Sequence, residues 1–102
     1  MPTYEVSFAA EPEPGAPEGI ADRLPEILQG VPGVHGVRAE GADADDPHER
    51  GTFRIDVRDG LGIAAAARDA SRLAKEALSV AGAPDARLVE LNVRLIGPAW
   101  SG

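Results

Sequence analysis

Residues 52–81 read TFRIDVRDGLGIAAAARDASRLAKEALSVA, and the spacing of their apolar side chains changes once along the way. Over 52–59, Phe53, Ile55 and Val57 alternate with Arg54, Asp56 and Arg58. That two-residue repeat is the mark of a strand with one buried face. After Asp59-Gly60 the repeat turns helical over 61–81, with Ile63, Ala67, Ala70, Leu73, Ala74, Ala77, Leu78 and Ala81 along one stripe. Side chains this small let a helix lie close to a sheet. Gly82-Ala83-Pro84 supplies the stop, glycine just past the helix and proline beyond it. The stretch 87–96 alternates again, with Val89, Leu91, Val93 and Leu95 expected to face inward.

The other half of the chain repeats this grammar. Over 3–10, Tyr4, Val6 and Phe8 oppose Glu5 and Ser7, so a first strand is expected. Prolines and Gly15 break it over 11–17, because proline cannot donate to a ladder. From Pro17, a favoured first helical residue, Ile20, Leu24, Ile27, Leu28 and Val31 recur at helical spacing. Pro25 inside that helix predicts either a kink or a fresh start. Gly30, Pro32 and Gly33 end it, and 34–40 forms a short strand whose Val34 and Val37 are out of phase unless a bulge lies near Gly36. The order βαββαβ is that of the ferredoxin-like plait, and right-handed crossovers give strand order 4-1-3-2 with both helices on one face. One domain over 1–97 and a short tail over 98–102 follow.

Ten basic against seventeen acidic side chains leave a formal charge of −7 on 102 residues, and 43% are hydrophobic. That length suits a single core. The acidity disfavours nucleic acid and anionic membranes as partners, and no apolar run approaches the ~20 residues that cross a bilayer. Without cysteine there are no disulfides, thiolate metal sites or cysteine nucleophiles. Pro2 and a strand follow Met1 with no basic, apolar leader, so a cytoplasmic location is expected. Arginine far outnumbers lysine (Lys75 alone) amid abundant Ala, Gly and Pro, a bias of high-GC bacteria.

The phases above place Glu5, Ser7, Arg54, Asp56, Arg58, Glu90, Asn92 and Arg94 on the sheet face away from the helices. RNA-binding plaits need aromatic rings there, and this face has none. The ordinary role of such a mosaic is cross-strand ion pairing, with Asp56 and Glu90 occupying the guanidiniums. The functional role is a platform in which Arg54, Arg58 and Arg94, joined by Arg38 if its strand presents it, take a carboxylate, a phosphate or an acidic partner. Two such faces meeting in a homodimer form the third option.

Other candidates are thinner. Residues 40–51 hold Glu40, Asp43, Asp45, Asp46 and Glu49, but an EF-hand counted from Asp43 would place Pro47, His48 and Arg54 at positions five, six and twelve, where the motif needs an oxygen donor, glycine and glutamate. A flexible acidic hairpin loop is expected instead, with no metal. His35 and His48 lie in no ligating spacing, and no serine lies in a nucleophile elbow, so no catalytic residue and no cofactor are assigned. Trp100 is the single tryptophan, and it serves either as a ring laid over the fold or as an anchor for a partner.

Gly30-Val31-Pro32-Gly33-Val34-His35-Gly36-Val37 resembles the helix-to-strand entry of ACT-type regulatory domains, Lrp-type effector domains and heavy-metal-associated domains. The metal-binding version needs a cysteine pair after the first strand, which this chain lacks. The ACT-type version implies a small-molecule site at a dimer interface near the first strand-to-helix loop, where this chain is rich in Pro and Glu rather than glycine. Two functions are therefore expected. One is a non-enzymatic interaction or assembly module acting through Arg54, Asp56, Arg58, Arg94 and Trp100, with a homodimer or another protein as partner and a small anionic ligand as a further candidate. The alternative is an ACT-like sensor or a minimal dimeric α+β-barrel enzyme, with His35, Arg54 and Asp56 lining a pocket.

Overall fold

The computed structural model describes residues 2–43, 45–58 and 62–97. Its elements are β1 (Thr3–Glu11), α1 (Ile20–Gln29), β2 (Val34–Glu40), β3 (Glu49–Asp56), α2 (Gly62–Ala81) and β4 (Arg87–Gly97). They form one antiparallel sheet in the order β2-β3-β1-β4, the expected 4-1-3-2 read from the other edge. No described helix is long and apolar enough to cross a membrane.

Alternation in β1 and β3 puts Tyr4, Val6, Phe8, Phe53 and Ile55 into the core, where they meet Ile20, Leu24 and Leu28 of α1. Each fully buried side chain of this kind contributes roughly 1.5–3 kcal/mol of transfer free energy. From α2 come Ala66, Ala70, Leu73, Ala74, Ala77, Leu78 and Ala81. Ile63, expected on that stripe, is 53% exposed in the first turn, and Ala67 is only partly buried. Leu61 lies outside the described residues.

The C-terminus of α2 is closed as its glycine predicts. Gly82 takes φ +114°, its amide reaches Ser79 O, and the Ala83 amide reaches Leu78 O at 2.8 Å, which satisfies carbonyls the helix leaves open. Arg23 of α1 adds a third donor, Nη1 to Ala81 O at 3.0 Å, and so ties the helices together. In α1 the expected start at Pro17 moves to Ile20, after Gly19 in the left-handed conformation at φ +80°. The helix does not restart at Pro25 but runs through it.

Three strand expectations change. β3 begins at Glu49 and ends at Asp56, three residues earlier than the alternation implied at each end. Pairing rather than side-chain period sets this shift: Ala10 and Ala9 of β1 take Glu49 and Arg50 as partners. Arg58 therefore lies beyond the strand, exposed, and Asp59 is outside the described residues. The bulge expected near Gly36 is present, with the β2–β3 register broken between His35 and Arg38 and φ +64° at Gly36. A second break separates Ala9 from Ala10 in the β1–β4 pairing. It lets Leu88 face Ala10 and leaves Val89 exposed, contrary to the simple alternation. Leu95, near the free end of this edge strand, is 54% exposed, while Leu91 and Val93 pack on the core as expected.

Candidate functional site

The open face is organised around Glu5. Because β1 lies between β3 and β4, the register sets Glu5 opposite Arg54 on one side and Arg94 on the other. Arg94 donates from Nε at 3.1 Å and Nη2 at 2.8 Å to Glu5 Oε1. Arg54 Nε stands 3.9 Å from Glu5 Oε2. The carboxylate is sunk, 19% exposed, whereas Arg94 is 72% exposed. The Arg94 hydrogen bond, more than any other influence, holds the Glu5 carboxyl below its ordinary pKa, and the charges of Arg54 and Arg38 act in the same direction.

Rows on either side complete the face. Asp56 Oδ1 accepts the Thr3 hydroxyl at 2.7 Å and lies 3.3 Å from His35 Nε2. The Thr3 hydrogen bond chiefly, then His35, lowers the Asp56 pKa. On the other side Ser7 lies opposite Thr52 and Asn92, with Ser7 Oγ and Thr52 Oγ1 3.4 Å apart. Asp56 and Glu90 were expected to neutralise Arg54 and Arg94, but Glu5 does so. Asp56 turns to Thr3 and His35, and Glu90 lies 3.9 Å from Arg50. The physical reason is register: β1 lies between β3 and β4 and sets Glu5 opposite both arginines, whereas Asp56 lies opposite Thr3.

Of the expected site residues, the structure brings Arg54, Arg94 and Asp56 onto one face and leaves Arg58 off the strand. Trp100 lies outside the described residues. His35, Arg54 and Asp56 do come together, since His35 is in register with Arg54 and in contact with Asp56. They meet on the open face rather than between sheet and helices, with His35 and Arg54 each half exposed.

The described residues of the acidic loop carry a set of local hydrogen bonds. Asp43 Oδ1 accepts the amides of Asp45 and Asp46, both at 2.8 Å, an Asx-type turn. Asp46 Oδ1 accepts the His48 amide at 3.1 Å and lies 2.9 Å from His48 Nδ1, while Oδ2 accepts Arg50 Nε at 2.7 Å. Carboxylates that pair with one another's amides are not aimed at a common point, and no cluster able to hold a metal ion occurs among the described residues. The Arg50 hydrogen bond first, then those from His48, bring the Asp46 pKa down to about 2 from 3.8. A carboxyl depressed in the folded state stabilises it above the unfolded pKa and loses that effect as pH falls through the folded one. The loop should therefore keep its order down to a pH of about 4 and lose it between there and about 2. The Asp46 carboxyl resonance followed against pH checks this, and a midpoint at the ordinary aspartate value would refute it.

Two depressions flank these rows. One, of ≈ 320 Å³ on the open face, is lined by Ser7, Thr52, Arg38, Arg50, Glu40 and Glu90. The other, of ≈ 510 Å³, lies beside the start of α1 and includes Glu13 and Glu49. Glu49 is the one buried charged residue among those described, and it accepts the Ala42 amide at 3.3 Å. The sequence shows Glu49 as one carboxylate of a polar loop, and its burial at the start of β3 has no local signal. The sequence also leaves Arg38 conditional, because the bulge hides the phase of β2.

Neither a family model nor any curated protein matches the chain. Among solved structures, 93% of the chain superposes on a protein described as "Putative Chlorite dismutase", with a TM-score of 0.55 and 14% identity. At that identity the likeness is one of fold. It supports the ferredoxin-like plait. The chain spans 44% of the length of that protein.

Proposed function

We propose that this chain is a non-enzymatic interaction module that associates with a second copy of itself, sheet face against sheet face. The observation that carries this reading is the charge balance of the open face. Arg38, Arg50, Arg54 and Arg94 are interspersed there with Glu5, Glu40, Asp56 and Glu90, in a chain whose formal charge is −7. Elsewhere two copies repel, and a balanced face is where they approach most cheaply. Around a two-fold axis Arg54 and Arg94 then meet carboxylates of the other copy. Arg94 suits the role, because Glu5 fixes its orientation while most of its surface stays open to a partner.

Replacing Arg54 and Arg94 together by Glu tests the proposal by setting like charges around Glu5 and across the interface, where such juxtaposition costs several kcal/mol. Sedimentation equilibrium should find a wild-type dimer and a variant whose self-association is at least tenfold weaker. A wild-type chain that stays monomeric at high concentration sinks the proposal, and so does a variant of unchanged mass, which would leave the face as a solvated sheet surface.

A second reading rests on the likeness to the chlorite dismutase-type structure and on the meeting of His35, Arg54 and Asp56. It makes the chain half of a small α+β-barrel enzyme, with the second copy covering these residues and shutting out water. Their exposure in a single chain favours the first reading.

A further inference from the structure

The arginines of the open face are not equivalent. Arg54 and Arg94 share Glu5, and Arg50 is held by Asp46 at 2.7 Å. Arg38 makes no ion pair with a carboxylate of the described residues. It stands in register with Thr52, whose hydroxyl makes only the long 3.4 Å contact with Ser7. All three side chains line the ≈ 320 Å³ depression, and Arg50 lines it too, with only its Nε engaged at short range. Two carboxylates share the rim: Glu90 accepts Asn92 Nδ2 at 3.3 Å and lies 3.9 Å from Arg50 Nη1, and Glu40 is in register with Arg50.

We infer that this depression is a binding site for the oxyanion of a small molecule, a carboxylate or a phosphate monoester. Arg38 supplies the two-pronged contact that planar guanidinium makes with such groups, Ser7 and Thr52 supply hydroxyl donors, and Arg50 adds charge. A volume near the lower end of the roughly 300–1,000 Å³ typical of ligand clefts fits a metabolite rather than a polymer. The site exists in one copy and does not depend on the dimer proposed above.

Titration of the ¹⁵N-labelled protein at low ionic strength tests it, with inorganic phosphate and succinate as probes and sodium chloride as the control. Either probe should give saturable shifts at the Ser7, Arg38 and Thr52 amides that chloride does not. Arg38→Gln should weaken binding at least tenfold and Thr52→Val several-fold, while Arg87→Gln, which loses only an edge contact to Glu11, should bind as wild type. Tighter phosphate binding assigns the site to phosphate esters, and tighter succinate binding to carboxylic acids. Shifts that never saturate, that chloride reproduces, or that survive Arg38→Gln overturn the inference. Sedimentation of the same samples separates the two proposals: saturable binding by a monomer supports the cleft and overturns the dimer, whereas a dimer without saturable shifts does the reverse.

Discussion

Phe53→Ala should cost this fold about 3–5 kcal/mol, the usual toll for deleting a buried ring. A domain of this size has roughly 5–15 kcal/mol in total, so the variant would sit near the edge of folding at room temperature. Phe53 has no exposed surface, and its ring meets that of Phe8 edge-on at 6.2 Å and 65°. Its strand is hydrogen-bonded on both sides, to β1 and to β2, so the backbone cannot move inward to fill the gap. The cavity therefore persists and adds to the lost transfer energy. Urea unfolding should show a midpoint far below wild type with an unchanged slope. A loss under about 1 kcal/mol would mean that the core collapses around the site and that Phe53 is not its keystone.

Gly51→Ala should destabilise by about 1–3 kcal/mol, although alanine is ordinarily the better strand residue by roughly 0.5–1 kcal/mol. Gly51 lies opposite Phe8, and a Cβ added there would come within 2.6 Å of the Phe8 Cε1 and Cζ atoms. A ring end can often swing aside. This one cannot do so cheaply, because Phe8 is 2% exposed and packed against Phe53. The check is a double substitution. Phe8→Leu removes the colliding edge, so Gly51→Ala should cost markedly less in that background than in wild type. Equal costs in both backgrounds would place the strain elsewhere.

Both effects rest on pairings that periodicity does not reveal. Phe8 and Phe53 are readable as core residues from their alternation alone, and so are Leu24, Leu28, Leu73 and Leu78 from helical spacing. That Gly51 must be glycine is not readable, since it looks like the end of a polar loop until the register sets it against Phe8. The same limit explains β4. Counting by twos puts Val89 with Leu91 and Val93, but the bulge between Ala9 and Ala10 removes it from that series and gives its place to Leu88. The bulge at Gly36 shows in the phase of Val34 and Val37 within one strand, whereas this one shows only in how β1 and β4 pair.

The candidate site follows the same division. Residue types and their alternation already put Glu5, Arg54, Asp56 and Arg94 on one charged face, because which side of a strand a residue takes is a local property of the extended backbone. Which charge answers which was decided only by the sheet. The central position of β1 gives Glu5 two arginines, turns Asp56 to Thr3 and His35, and leaves Arg38 over a cleft with Ser7 and Thr52. The sequence by itself determined the order of elements, the buried faces and the topology, since these depend on repeats within a few residues. Register, the β1–β4 bulge and the partner of each charged group were settled by tertiary structure, because they depend on distances between strands far apart along the chain.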